Sequence, residues 1–253
     1  MCTAVLHWNP DGALAVMNRD ERRDRAEEIP PGPFEFGGVR GLAPRDSERG
    51  GTWIGVNERG VMAFLLNGYV PGDLELVGRA GIPSRGSIVP ALLAHDADGA
   101  RDHLRRHFDP SPYPSFTVAL AAPDGAMVSR WRLDGTWEHD VLPVGWNLMT
   151  SSAWRTDEVC AWRAERFDEW RSNGAPMNGA IPSYLLLEIP ERREWSPMMS
   201  RSWSATRSVT RATVTPAERM ATMSYWRRTD SGFAVEHPEA TVDLALSTPV
   251  EAA

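Results

Sequence analysis

The chain contains no lysine, so all 27 of its strongly basic side chains are arginines. A mechanism that needs a lysine amine, such as Schiff-base formation with a carbonyl substrate, is therefore excluded. Acidic side chains outnumber the arginines and the formal net charge is −7. This balance argues against a nucleic-acid-binding protein, because the phosphate backbone requires a basic face.

The sequence also has no long apolar run. None approaches the ~18 residues that a membrane-spanning helix needs, and no basic-then-apolar secretory segment precedes Cys2. We therefore expect a cytoplasmic protein without a membrane span. His103 and His107 are spaced like the ligands of a helical zinc site, but the glutamate of that motif is missing. We predict no metal site and no cofactor.

Cysteine is scarce, with Cys2 and Cys160 as its two occurrences. Without a secretion signal we expect two reduced thiols and no disulfide. Cys160 falls in a predicted helix, residues 155–171, where a buried inert thiol is expected. Cys2 is different, because removal of Met1 would leave a thiol and a free amine on one carbon. An N-terminal cysteine of this kind is a nucleophile with its own base.

The side chains that could tune this nucleophile follow the first hairpin. Residues 2–8 and 13–18 are predicted strands, joined by an Asn-Pro-Asp-Gly turn. The hairpin brings residues 18–21 beside Cys2, where Asp20 could hold the terminal ammonium and Arg19 could stabilise a thiolate or an oxyanion. The alternative is that residues 18–21 are a solvated, charged turn.

Several short motifs occur in a specific order behind Met1-Cys2. They are Asn-Arg-Asp-Glu at 18–21, Gly-Gly-Thr-Trp-Ile-Gly-Val at 50–56, Arg-Gly at 59–60, Leu-Asn at 66–67 and Ala-Thr-Arg-Ser at 205–208. This pattern resembles the NRDE family, also called the transport and Golgi organisation protein 2 family. That family is similar to the N-terminal-nucleophile hydrolases of the penicillin V acylase and conjugated bile acid hydrolase branch. The resemblance implies an α+β fold, a four-layer αββα sandwich of two antiparallel sheets.

The resemblance also implies roles for individual residues. Asn67, after a predicted strand, would donate its amide to an oxyanion, whereas the local Asn-Gly sequence alone favours a turn. Arg207 would lie near the nucleophile and, with Arg19, would set the ionisation of the thiol or bind an acidic substrate. We assign Asn18 and Trp53 to substrate binding.

Two positions depart from the pattern of that branch. Met17 stands where the branch has an arginine. A serine, Ser151 or Ser152, stands where the branch has an asparagine that completes the oxyanion site. A hydroxyl donates one hydrogen, so either serine would substitute imperfectly in this substrate-binding role.

The rest of the chain predicts one domain at residues 1–237 and a loosely ordered tail at 238–253. Residues 22–50, rich in proline and glycine, are expected to form an irregular rim or lid over the pocket. The other predicted elements are strands at 51–56, 61–66, 115–121, 126–133, 136–142, 144–150, 203–214, 220–227 and 232–236, and helices at 84–96, 98–108 and 155–171.

Two functions are compatible with these features. The first is an N-terminal cysteine hydrolase or acyltransferase acting on a non-peptide carbon–nitrogen bond of a small-molecule substrate. The second is a ligand carrier that kept the fold and lost the chemistry. Heme is its candidate ligand, because members of the resembled family are linked to heme trafficking. The sequence leaves the substrate, the removal of Met1 and the oligomeric state open.

Overall fold

The structure is a computed structural model that describes residues 2–76, 78–229 and 232–247. Its strands, in chain order, are β1 (Cys2–Asn9), β2 (Gly12–Arg22), β3 (Ile29–Phe36), β4 (Val39–Arg45), β5 (Ile54–Asn57), β6 (Met62–Asn67), β7 (Phe116–Ala122), β8 (Gly125–Trp131), β9 (Trp137–Val141), β10 (Gly145–Ser151), β11 (Met177–Asn178), β12 (Ile181–Pro182), β13 (Ser204–Thr215), β14 (Met220–Arg227) and β15 (Ala240–Ala245).

The helices of the described ranges are fewer and mostly short. They are α1 (Asp73–Leu76), α2 (Ile88–Leu93), α3 (Ala97–Asp102) and α4 (Thr156–Ser172). A π-helical turn, His103–His107, extends α3, and 3-10 turns lie at Arg85–Ser87, Ser183–Leu186, Pro190–Arg192 and Pro216–Glu218. No helix in this part of the chain combines the length and the apolar character required to cross a bilayer.

Two antiparallel sheets form the centre of the molecule. One sheet has the strand order β10-β1-β2-β13-β14-β15 and the other has the order β3-β4-β5-β6-β7-β8-β9. Apolar side chains from both sheets, such as Leu6 and Met17 on one and Val56 and Phe64 on the other, form a shared core. The sheets therefore pack face to face, as in a β-sandwich.

A helical layer covers the outer face of each sheet. On the seven-stranded sheet, Val61 and Leu120 pack against Ile88 and Leu92 of α2. On the six-stranded sheet, Val5, Val16 and Val209 pack against Phe167 and Trp170 of α4, together with the segment around Tyr184. The order of layers is αββα, which confirms the predicted α+β four-layer fold.

The first hairpin determines where the chain begins within this sandwich. Asn9 pairs with Gly12, and the register continues to Cys2 opposite Arg19. Gly12 has φ +153° and lies so close to Val214 that a Cβ would be 2.3 Å from the carbonyl oxygen of Val214, which explains why glycine ends this turn. Strand β10 pairs on the other side of β1, so Cys2 lies at the end of an interior strand.

Residues 22–50 are not the irregular rim that their composition predicts. Most of them form the hairpin of β3 and β4, which turns at Gly37 and Gly38. Prolines usually argue against a strand, but β3 tolerates them because it is an edge strand with a register shift between Ile29 and Gly32. A proline at such a position removes no required ladder hydrogen bond.

The C-terminal region also differs from expectation. Residues 240–245, predicted within a loose tail, form β15 and pair along β14. The predicted strand at 232–236 is absent from the strands of the described residues, and the two residues before it, Asp230 and Ser231, lie outside those residues. Alternating exposure along β15 marks it as an edge strand with one face on the protein.

Candidate active site

A cavity of about 320 Å³ opens where the two sheets end side by side. Cys2 and Arg19 line it from the six-stranded sheet, and Leu65 and Asn67 line it from the seven-stranded sheet. Residues 82–86, just before α2, complete the wall. The cavity is large enough for a small ligand and borders the N-terminal cysteine.

Cys2 is buried, with 8% of its surface exposed, and lines this cavity. Its backbone nitrogen donates to Ser151 Oγ at 3.3 Å; this atom is an amide nitrogen when Met1 is attached and becomes the α-amine when Met1 is removed. Burial raises the pKa of the Cys2 thiol and the charge of Asp20 adds to this effect, whereas a hydrogen bond from the backbone of Asp20 and the charge of Arg19 oppose it.

Arg19 lies on the cavity side of β2 within a cluster of opposite charges, which we call the Arg19 cluster. Its guanidinium contacts Glu28 at 3.1 Å and both Glu21 and Asp46 at 3.5 Å. The same guanidinium stacks 4.5 Å from the ring centroid of Trp53. Three carboxylates thus surround one arginine, and its charge is already balanced before any substrate enters.

Two acids of the Arg19 cluster, Glu28 and Asp46, are held ionised. Burial alone would raise the pKa of Glu28, but the charge of Arg19 and a hydrogen bond from Tyr225 Oη outweigh it and hold the pKa below its usual range. The same balance lowers the pKa of Asp46, where burial is outweighed by hydrogen bonds from Arg49 and Arg25. Glu28 and Asp46 therefore remain fixed negative charges at neutral pH.

Asp20 follows Arg19 in β2 and belongs to a second group, the Asp20 cluster, formed with Thr206, Arg163 and Arg201. Thr206 Oγ1 donates to Asp20 Oδ1 at 2.6 Å, and Arg163 Nη2 lies 3.9 Å from Asp20 Oδ2. Burial raises the pKa of Asp20, and the charges of Arg163 and Arg201 oppose the rise. In this cluster two arginines oppose one carboxylate, whereas in the Arg19 cluster three carboxylates surround one arginine.

Arg163 is fully buried beneath the start of β1. Its Nη1 donates to Thr3 Oγ1 at 2.8 Å, to Thr150 Oγ1 at 3.1 Å and to Ser151 O at 3.3 Å. The opposite side of the guanidinium donates to the carbonyls of Trp195 and Ser196. A single side chain of α4 therefore joins β1, β10 and the segment before β13.

Asn67 and Tyr69 form the wall opposite Arg19. Asn67 ends β6, and its Nδ2 donates to Tyr69 Oη at 3.2 Å. Both side chains line the cavity with Cys2. An amide and a phenol at this wall are hydrogen-bond donors of the kind that stabilise an oxyanion. That role for Asn67 stays a prediction.

Arg85 is a further cation on the cavity wall, and the sequence analysis did not identify it. It is 9% exposed, and its Nη1 donates to Ser115 O at 2.8 Å. Burial lowers the pKa of Arg85, whereas the charges of Tyr69, Asp73 and Cys2 raise it. Both Arg85 and Cys2 line the cavity.

Four residues assigned to the site from sequence do not line the cavity. Asn18 points to the opposite face of β2, because neighbouring side chains alternate in a strand, and its Nδ2 donates to Leu185 O and Pro197 O. Arg207 is the extra residue of a bulge, since the register of β13 against β2 shifts between Thr206 and Ser208. Its guanidinium donates to the carbonyls of Arg22 and Arg25 and does not line the cavity.

The third residue is Ser152, whose hydroxyl donates to Trp154 O at 2.6 Å and accepts from Arg201 at 3.1 Å. It is fully buried and supports the Asp20 cluster, outside the cavity wall. Ser151 contacts the Cys2 nitrogen but does not line the cavity either, so its position fits the amine of the nucleophile better than a substrate.

The sequence did contain a signal for Arg163. It lies at helical spacing with Val159, Phe167 and Trp170, the buried face of α4, and a charged residue on such a stripe indicates a buried ionic site. Arg85 had no comparable signal. Its burial depends on close contact between Gly51 and Gly86, which are distant in sequence.

Comparison with known proteins agrees with this fold. The family model described as Transport and Golgi organisation 2 matches residues 1–123. No curated protein matches the chain. Among solved structures, the C2A mutant of conjugated bile acid hydrolase from Clostridium perfringens is 11% identical with a TM-score of 0.52, covering 97% of this chain and 92% of that chain.

Two further structures are similar. The Caenorhabditis elegans N-acylethanolamine-hydrolyzing acid amidase ortholog is 11% identical with a TM-score of 0.53, covering 85% of this chain and 93% of that chain. Penicillin V acylase from Agrobacterium tumefaciens is 14% identical with a TM-score of 0.49, covering 88% and 82%. These comparisons confirm both predictions, namely the resemblance to the Transport and Golgi organisation 2 family, matched over residues 1–123, and the fold of the N-terminal-nucleophile hydrolases.

Proposed function

We propose that this protein is an N-terminal cysteine hydrolase or acyltransferase that cleaves a non-peptide amide bond, with Cys2 as nucleophile after removal of Met1. The observation that supports it most directly is the position of Cys2. The residue begins an interior strand and borders a cavity of about 320 Å³. When Met1 is removed, the α-amine of Cys2 lies beside the thiol of the same residue and can act as its base.

The first chemical step would be attack of the Cys2 sulfur on the amide carbonyl. The α-amine accepts the thiol proton and passes it to the leaving nitrogen, so that a thioester forms as the carbon–nitrogen bond breaks. Water completes hydrolysis, whereas a second amine completes acyl transfer. Asn67, at the cavity wall, would donate to the oxyanion that forms on the carbonyl oxygen.

The two charged clusters would hold this nucleophile in position. Asp20 would stabilise the protonated α-amine, and its hydrogen bond from Thr206 together with Arg163 keeps the carboxylate in one place. Ser151 Oγ, 3.3 Å from the Cys2 nitrogen, would orient the same amine. Arg19 is balanced by three carboxylates, so its charge favours the thiolate only weakly.

The structural relatives agree with this class of reaction. The bile acid hydrolase and the acid amidase ortholog are named for cleaving conjugated bile acids and N-acylethanolamines. The bile acid hydrolase was crystallised with its Cys2 changed to alanine. The likeness extends to the fold of this chain, and the reaction is our proposal.

The experiment is release of amine from a panel of N-acyl amides by the purified wild-type protein. We expect turnover of at least one compound, and loss of about 10³-fold or more in Cys2→Ala because the nucleophile is gone. The matched control is Cys160→Ala, which removes the other thiol and should keep full activity. Equal turnover by wild type and Cys2→Ala would refute the proposal.

A further inference from the structure

Arginines line much of the cavity, but their charges are not balanced equally. Arg19, Arg22 and Arg25 each contact at least one carboxylate within 4.0 Å. Among the described residues Arg85 has no carboxylate within that distance. It is also far less exposed than Arg22, whose partner Asp24 lies in solvent. Arg85 is therefore the buried cation of this wall whose charge lacks a contacting acid.

The two carboxylates whose charges act on Arg85, Glu21 and Asp73, are occupied elsewhere, and Glu21 pairs with Arg19 at 3.5 Å. The charge of Asp73 acts on Arg85, but its two oxygens accept from Val70 N at 2.7 Å and from Ser115 N at 2.7 Å. Arg85 in turn donates Nη1 to Ser115 O. Asp73 thus fixes the backbone that holds Arg85 without forming an ion pair with it. The remaining N–H groups of Arg85 have no partner among the described residues.

Backbone contacts hold Arg85 in place. Ser84 caps the 3-10 turn by accepting from Gly86 N, and Gly86 O accepts from Thr52 N at 3.1 Å. Gly51 approaches so closely that a Cβ there would lie 2.7 Å from Gly86 O. The turn is therefore attached to the segment before β5 that carries Trp53, and the backbone of Arg85 needs no rearrangement to meet a ligand.

A buried guanidinium with free N–H groups on a cavity wall is suited to a carboxylate, which it binds through two parallel hydrogen bonds. We propose that Arg85 binds an anionic group of the substrate, so that the substrate class is amides that also bear a carboxylate. This inference rests on the proposed function, because it takes the bound molecule to be the substrate of that reaction. The anion-binding property belongs to Arg85 and can be measured without turnover.

The test is equilibrium binding to Cys2→Ala, which cannot react through that thiol. The probes are N-hexanoylglycine and N-hexanoylglycinamide, which are matched in size and differ by one charge. Titration is followed by calorimetry at low ionic strength. We expect the carboxylate to bind at least about tenfold more tightly, since a charge-assisted hydrogen bond contributes about 1.5–3 kcal/mol. Equal dissociation constants for the two probes would overturn the proposal.

Substitutions of Arg85 test whether this side chain causes the preference for the carboxylate probe. Arg85→Gln, which can still donate to Ser115 O, should reduce the preference to about onefold, whereas Arg85→Lys should keep part of it. The control is Arg49→Gln, an exposed cavity arginine, which should keep the preference because water screens its charge. A preference that survives Arg85→Gln would overturn the assignment.

The failure of the proposed function would look different. If the amide panel shows no Cys2-dependent turnover but the carboxylate preference depends on Arg85, then the anion site stands and the catalytic proposal falls. If turnover is present and the two probes bind equally, then the catalytic proposal stands and the anion site falls.

Discussion

The Arg19 and Asp20 clusters lie on opposite sides of one strand, and their charge balances are opposite. Arg19 faces the cavity with three carboxylates around it. Asp20 contacts Arg163, and Arg201 adds a second positive charge. Two consecutive residues of β2 thus meet oppositely charged surroundings because a strand points alternate side chains to opposite faces. Each buried charge beside Cys2 therefore has its own counter-charges. Carboxylates surround Arg19, and arginines, including Arg163 of α4, surround Asp20.

The largest effect is expected from breaking the Asp20 cluster at Arg163. Arg163→Met would remove the arginine whose charge faces buried Asp20. It would also remove the N–H donor that the hydroxyls of Thr3 and Thr150 share. Loss of one member of a buried ion pair costs about 3–5 kcal/mol in the free energy of unfolding. Urea unfolding measures this loss.

The matched control for that experiment is Arg171→Met on the same helix. Arg171 is half exposed and pairs with Asp168 at 3.0 Å, so its removal should cost no more than about 1 kcal/mol. If both variants lose the same free energy, then Arg163 is not the connection between the layers that its contacts indicate.

A smaller effect is expected from Glu28→Gln in the Arg19 cluster. Arg19 keeps Glu21 and Asp46 after this change, so we expect a loss of about 1–3 kcal/mol in the free energy of unfolding, mainly from the weakened hydrogen bonds. Glu27→Gln, at an exposed neighbouring carboxylate, is the control and should change little. A loss in Glu28→Gln that exceeds that of Arg163→Met would reverse the comparison.

The smallest effect is the dependence of stability on pH. The pKa values of Glu28 and Asp46 are lowered in the folded protein, so their stabilisation is complete above the ordinary range of about 4 and is lost as pH falls through the folded pKa. The pKa of Asp20 is raised by burial, so its protonation on acidification favours the folded state.

These opposite signs give a measurable difference between the clusters. Free energies of unfolding between about pH 3 and 6 should fall on acidification in the wild type, and should fall less steeply in Glu28→Gln. Asp20→Asn should make the fall steeper relative to its own value at neutral pH, because the opposing contribution of Asp20 is removed. Parallel curves for the three proteins would contradict the assigned pKa directions.

The sequence predicted those parts of the fold that depend on local pattern. The Asn-Pro-Asp-Gly turn and the apolar stripe of α4 each specify an element from neighbouring residues. The hairpin of β3 and β4 was missed because its prolines are acceptable only at a sheet edge, and edge position is a property of the whole sheet.

Within the candidate site, too, local patterns predicted some residues, and others depend on contacts between distant parts of the chain. Cys2, Asp20, Arg19, Asn67 and Trp53 were placed at one site from sequence, and all five line the cavity. Arg207 was misplaced because one bulge shifts the register of β13, and a bulge leaves no signal in an alternating pattern. Arg85 depends on a contact between Gly51 and Gly86, which no local pattern encodes.

The most direct test of the central claim is intact mass and peptide mapping of the purified protein, before and after reaction with an acyl electrophile. The account predicts a chain shorter by one methionine and a single acyl group on Cys2, absent from Cys2→Ala and unchanged in Cys160→Ala. A chain that retains Met1, or an acyl group found on Cys160 alone, would contradict it.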